Sequence, residues 1–172
     1  FEMIDFSVEP EFQEKLDWME QFVREECETM DLLFPEQGAQ FDPDYAAAKR
    51  HLKPLQERVK AQGLWACHLG AHLGGPGYGQ VKLALMNEII GRSSWAPVVF
   101  GTAAPDTGNA EILALFGTPE QKQKYLGPLR AGEIVTCFSI TEPQGGADPE
   151  VFPCPATLDG NEWVLEGEKW FS

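Results

Sequence analysis

At Gly132 the hydrophobic period of this chain changes, and that change limits its fold more than any other feature. Before it, apolar residues recur every three or four positions, which is the spacing of one face of an α-helix. After it comes Ile134-Val135-Thr136-Cys137-Phe138-Ser139-Ile140-Thr141, β-branched and aromatic in the manner of a strand. Helices first and antiparallel strands afterwards give an α+β chain, mostly α with a small β part. The boundary divides it into residues 1–132, a helical amino-terminal domain, and 133–172, the opening of a β domain.

The helical half is punctuated clearly. Pro10 suits a first helical turn, and Phe12, Leu16, Met19, Phe22, Val23 and Cys27 follow as one apolar stripe. Asp42-Pro43 reads as a second helix start, an N-cap oxygen followed by proline. Pro54 predicts a break or kink near Leu52-Lys53, with a fresh segment to Gln62 stopped by Gly63. Gly70 to Gly79, with Gly74, Gly75, Pro76 and Gly77 between them, is a loop. Helices are expected over 80–91, with Leu83, Met86, Ile89 and Ile90 on its apolar face, and over 106–116, carrying Ile112, Leu113, Leu115 and Phe116. Thr118-Pro119-Glu120-Gln121 is a capping box and starts a further helix, which ends near Gly132.

Beyond the predicted strand, Pro143 to Pro155 is a loop. Ala156–Leu158 and Glu162–Leu165 then form a hairpin around Asp159-Gly160-Asn161. Ser172 falls inside an apparent strand, and two or three strands ending there leave a bare edge and a half-covered face. The chain is therefore expected to be truncated, and residue 1 is Phe rather than an initiator Met.

Composition excludes several function classes. At 172 residues with 43% hydrophobic and 11% aromatic content, the chain can bury a core and is not globally disordered. No run reaches the roughly 18 apolar residues of a membrane span. Thirteen Lys and Arg against 27 Asp and Glu leave a net charge of −14, which repels phosphate backbones and argues against nucleic acid. The basic stretch Lys49-Arg50-His51-Leu52-Lys53 reads as a solvated helix face. Cys27, Cys67, Cys137 and Cys154 form no CxxC and read as reduced, mostly buried thiols.

Most candidate motifs favour plain readings. The loop around Gly74-Gly75-Pro76-Gly77 has neither GxGxxG nor a GK[ST] ending, so it reads as a connector rather than a phosphate cradle. Cys67, His68 and His72 have no second ligand cluster, which argues against a metal. The informative block is Cys137 to Asp148. There a strand brings an aromatic, a hydroxyl and backbone amides to a Gly-rich turn able to form an anion-binding concavity. On the residues alone, an ordinary strand-to-loop exit accounts for it equally well.

Phe138-Ser139-Ile140-Thr141-Glu142-Pro143-Gln144-Gly145-Gly146-Ala147-Asp148 resembles a signature of the acyl-CoA dehydrogenase family. A second signature, Asp159-Gly160 through Val164-Leu165, Gly167 and Lys169-Trp170-Phe171-Ser172, agrees with it. Gly63-Leu64-Trp65, Glu88 through Gly91-Arg92-Ser93, and Gly117-Thr118-Pro119-Glu120-Gln121-Lys122 to Leu129 match the family's helical domain. Ala104 to Asn109 looks like a branch found in actinobacteria and in mitochondria and peroxisomes.

The resemblance implies an FAD enzyme that oxidises acyl-CoA to trans-2-enoyl-CoA. A carboxylate removes the α-proton while the β-hydrogen leaves as hydride to flavin N5. The catalytic base is expected beyond Ser172, in a carboxy-terminal part, and Glu142 is structural within its turn. The same resemblance makes Phe138, Ser139, Ile140, Thr141, Gly146, Ala147, Phe171 and Ser172 cofactor-binding, with Ala147 also a weak substrate contact where the family has Ser. It further implies the opening strands of a β-barrel-like middle domain and electron-transfer flavoprotein as acceptor. A homodimer or homotetramer follows, in a bacterial cytoplasm or in mitochondria or peroxisomes. A flavin oxidase or monooxygenase of the same superfamily, or a non-catalytic truncated module, are the alternatives.

Overall fold

The computed structural model describes residues 7–36, 38, 46–146 and 148–171. They form two compact units, Phe1–Val135 and Thr136–Ser172. The first is helical and the second holds a two-stranded sheet, so the α+β reading stands.

Helix α1 (Pro10–Phe22) opens on Pro10 and buries Phe12, Leu16, Met19 and Phe22. The chain continues through a wider helical turn, Val23–Cys27, into α2 (Glu28–Leu33), adding Val23, Cys27 and Met30 to the same buried side. The apolar stripe visible in the sequence is thus the core stripe. It packs with Leu55, Val59, Met86, Ile90, Trp95, Val99 and Phe100 in one cluster. Phe22 meets Phe100 edge-on, with ring centroids 5.9 Å apart.

Helix α3 (Ala46–Ala61) passes through Pro54 without ending, so of the break or kink expected there the break does not occur. An interior proline costs a helix about 3 kcal/mol. Buried Ala48 on one side of it and buried Leu55 and Val59 on the other keep both halves packed on the core, and that packing outweighs the lost bond. The Asp42-Pro43 start lies outside the described residues. Gly63 follows the helix at φ +69°, and its N–H donates to Lys60 O at 2.9 Å. The Gly70–Gly79 segment is a loop with one short 3₁₀ turn, Ala71–Leu73.

Helix α4 (Gln80–Ile90) buries Met86, Ile89 and Ile90, and packs on α1. The short α5 (Ala96–Val99) is entered through buried Ser93, whose hydroxyl accepts the N–H groups of Trp95 and Ala96 at 3.1 and 3.3 Å. Helix α6 (Asp106–Phe116) turns Ala110 inward, where it meets Leu69, Leu126 and Leu129 in a second cluster. Of the four large apolar residues at its carboxy-terminal end, Leu113 packs there, half-buried, whereas Ile112, Leu115 and Phe116 are exposed, the last by 80%. The helix is apolar on more than one side, and the unit supplies a neighbour for one of them. The capping box at Thr118 forms as expected and starts α7 (Pro119–Gln121). A wider turn at Lys122–Leu126 leads to α8 (Gly127–Ala131), closed by left-handed Gly132.

In the second unit β1 (Ala156–Asp159) pairs antiparallel with β2 (Glu162–Leu165), Ala156 opposite Leu165 and Asp159 opposite Glu162. Two residues, Gly160 and Asn161, connect them. Gly160 takes φ +61°, the conformation a tight hairpin asks of its first loop residue. The expected strand over 134–141 joins no ladder among the described residues. β-propensity marks a segment that suits a pleated surface, but a strand also needs a neighbour to pair with. Here the hairpin strands pair with each other.

Candidate functional site

The second unit brings its two separated sequence motifs together. The Trp170 N–H donates to Thr141 O at 2.9 Å. One residue back, the Lys169 ammonium donates to Ile140 O at 3.2 Å and to Glu142 Oε1 at 2.7 Å. Residues 140–142 and 169–170 therefore run together, although 27 residues separate Lys169 from Glu142.

Glu142-Pro143-Gln144-Gly145 is a tight turn, with the Gly145 N–H donating to Glu142 O at 3.2 Å. Proline second and glycine fourth is the preference of a type I turn. Gly145 has a steric reason as well. A Cβ there would overlap Val151 and come within 3.1 Å of the Phe152 ring, so the loop folds back on the turn only with glycine at this point. Asp148 Oδ1 accepts the Glu150 N–H at 3.0 Å and shapes the return.

The Glu142 side chain is buried, with the residue 3% exposed. Both of its carboxylate oxygens lie 3.2 Å from the Cys154 N–H, and the Lys169 ammonium supplies the opposite charge. A buried carboxylate is tolerable only when paired and hydrogen-bonded, and this one is both. Lys169 Nζ also stands 5.5 Å from the centre of the Phe152 ring.

Among the expected cofactor contacts, Ile140 and Thr141 are joined to the segment carrying Phe171. Phe138, Ser139 and Ile140 are exposed and Thr141 is half-buried. Phe171 is 89% exposed and held at φ +59°, a left-handed conformation rare outside glycine. Trp170 packs edge-on against it, with centroids 6.0 Å apart. Gly146 has open space where a Cβ would stand. Ala147 and Ser172 lie outside the described residues. Phe138, Trp170 and Phe171 are thus exposed aromatic rings of this unit. The part played by Lys169, Trp170 and the Cys154 N–H was not legible in the sequence, because nothing in their spacing says that they meet.

The first unit has an open cleft of about 380 Å³ lined by Lys60, Trp65, Gly74, Gly75, Pro76 and Arg130 among others. Its cations already serve the backbone. Lys60 Nζ donates to Ala131 O at 2.9 Å, and the Arg130 guanidinium donates to Gly74 O. Gly75 presses so closely on Leu69 that no Cβ fits. These contacts agree with a connecting loop rather than a phosphate cradle. Cys27 and Cys67 are buried, but Cys137 is exposed and Cys154 half-buried, so the thiols divide evenly rather than being mostly buried.

Residues 9–133 match the family model described as acyl-CoA dehydrogenase, N-terminal domain, and the chain belongs to the acyl-CoA dehydrogenase family. It is 43% identical over 122 residues to acyl-CoA dehydrogenase family member 11 of Gallus gallus, covering 70% of this chain and 15% of that protein. It is 37% identical over 123 residues to the Mycobacterium tuberculosis protein named among the acyl-CoA dehydrogenases as FadE2, covering 70% of this chain and 30% of that one. A solved Mycobacterium abscessus structure described as an acyl-CoA dehydrogenase superposes with a TM-score of 0.77 at 30% identity, over 95% of this chain and 42% of its own. The chain thus spans less than half the length of each of these relatives.

Proposed function

We propose that this chain is the helical domain and first β segment of a flavin-dependent acyl-CoA dehydrogenase, which converts an acyl-CoA to its trans-2-enoyl-CoA. The observation that carries this reading is the bond from Trp170 N–H to Thr141 O at 2.9 Å, which sets both signature segments side by side. In this reading Phe138, Ile140 and Thr141 offer backbone groups and a hydroxyl to FAD, Phe171 packs on its ring, and Gly146 leaves room for close approach. Bound FAD supplies the hydride acceptor. No residue of this chain is assigned as the base that takes the α-proton.

Electron-transfer flavoprotein is the acceptor we assign. We further assign a homo-oligomeric enzyme, working in a bacterial cytoplasm or in a mitochondrion or peroxisome. The test is purification of the full-length protein. It should be yellow, and its flavin should bleach anaerobically on addition of an acyl-CoA. Colourless protein that FAD does not reconstitute refutes the reading, and stoichiometric peroxide in air reassigns it to the flavin oxidases. Residues 1–172 alone should hold FAD weakly or not at all, because they supply one wall of an enclosed pocket.

A further inference from the structure

We propose that Lys169 is a positioning residue for the cofactor-facing segments of the second unit, acting through Glu142. The proposal rests on the flavin reading above. One ammonium reaches three pieces of chain: Ile140 O at 3.2 Å, Glu142 Oε1 at 2.7 Å, and the Phe152 ring at 5.5 Å. The segment before the turn, the turn, and the loop that folds back over it are thereby referred to a single charge. The next peptide along adds the bond from Trp170 N–H to Thr141 O, so wherever Lys169 sits, Phe171 follows two residues later.

The arrangement is compelled from the other side as well. Glu142 is buried, and without Lys169 its carboxylate keeps the Cys154 N–H as its one other donor among the described residues. An uncompensated buried charge is costly, so the carboxylate would turn toward water and take the turn with it. The side chain of Lys169 is only 31% exposed and is held against the buried carboxylate. The pair therefore fixes the separation of Thr141 from Phe171, two residues that the flavin reading places against the ring. Small misplacements of groups that orient a reacting partner are expensive, up to about a hundredfold in rate per ångström.

The experiment compares full-length wild type, Lys169→Met, Lys169→Arg and Glu142→Gln, with FAD and an acyl-CoA as probes. Lys169→Met is expected to weaken FAD retention about tenfold. Once saturated with FAD, it should show an altered visible circular-dichroism spectrum and a lower kcat, with KM for the acyl-CoA unchanged. Lys169→Arg, which keeps the charge, should recover most of the loss. A saturated Lys169→Met enzyme with wild-type spectrum and kcat, merely less stable to heat, overturns the proposal. Should Lys169→Met fail to fold, Glu142→Gln decides, because it preserves volume and an acceptor for the Cys154 N–H; wild-type behaviour there overturns the proposal equally. If wild type itself holds no flavin, the cofactor reading falls, and amide exchange at Trp170 judges the positioning role by itself. Faster exchange in Lys169→Met upholds it, and unchanged exchange overturns it.

Discussion

The Trp65 indole N–H donates to Arg130 O at 2.6 Å, tying the residues just after α3 to the last turn of α8 across 65 positions. Two glycines make room for the ring. A Cβ on Gly101 would stand 2.7 Å from it and one on Gly132 would stand 3.1 Å away, and both residues have positive φ. Lys60 Nζ covers the ring at 4.7 Å from its centre.

Gly101→Ala should therefore destabilise the protein by about 2–4 kcal/mol, combining left-handed strain with overpacking against a ring held by its bond to Arg130 O. Trp65→Phe keeps much of the packing and loses the hydrogen bond, for about 1 kcal/mol. Urea denaturation of the two variants gives both values. Equal stability of Gly101→Ala and wild type is incompatible with the tight seat of the indole.

The Thr118 hydroxyl accepts the Gln121 N–H at 3.2 Å, and the Gln121 side chain returns the bond to the Thr118 N–H at 2.9 Å. Thr118→Ala removes half of this exchange and should cost about 1 kcal/mol. Thr118→Ser should be close to neutral. A thermal melt of the two variants distinguishes loss of the cap from loss of the methyl group.

These two features show where sequence was sufficient. The capping box is a local rule written in four adjacent residues, and the stripe from Phe12 to Cys27 is a local period; both are present as read. Pro54 was misleading because its penalty is local whereas the packing of Leu55 and Val59 is not. The segment 134–141 was misleading for a related reason: its composition announces a strand and cannot announce a partner. Resemblance marked out Phe138 to Gly146 and Phe171, but not the Lys169–Glu142 pair that joins their segments. Only the folded turn brings those two side chains within reach.

Burial pushes the Cys27 thiol up to about 12 and the Cys67 thiol up to about 11, with Asp31 adding to the effect at Cys27. The thiolate is the reactive form, so both should be inert in the native protein at mildly alkaline pH. A colorimetric thiol assay should find exposed Cys137 reacting first, and Cys27 and Cys67 reacting only after denaturant is added. Rapid native modification of Cys27 would contradict its position in the core.

Removing the Thr141 hydroxyl tests the cofactor reading without disturbing the bond that Trp170 makes to the Thr141 carbonyl. In the full-length enzyme Thr141→Val should weaken FAD retention about fivefold, the worth of one hydrogen bond near 1 kcal/mol. Equilibrium titration of apoenzyme with FAD measures it. An unchanged dissociation constant places the flavin elsewhere.

His68 has both ring nitrogens buried with no hydrogen-bond partner among the described residues. Desolvation holds its pKa below the ordinary 6.5, and the opposing influence of Glu111 is the smaller one. The folded protein thus resists protonating a ring that the unfolded chain protonates freely. Below the unfolded value the unfolded state binds more protons, so the stabilisation is complete above about pH 6.5 and declines as the pH falls through the interval down to the folded value. The carboxylates of Glu9, Glu20 and Glu120 are shifted the other way, below 4.5, and their contribution is lost only in more acid solution. The urea midpoint should therefore fall between about pH 7.5 and pH 5.5 in the wild type. His68→Phe, which fills the same apolar space without a titrating group, should flatten the curve over that range. A His68→Phe protein with the full wild-type slope would assign the pH dependence to another group.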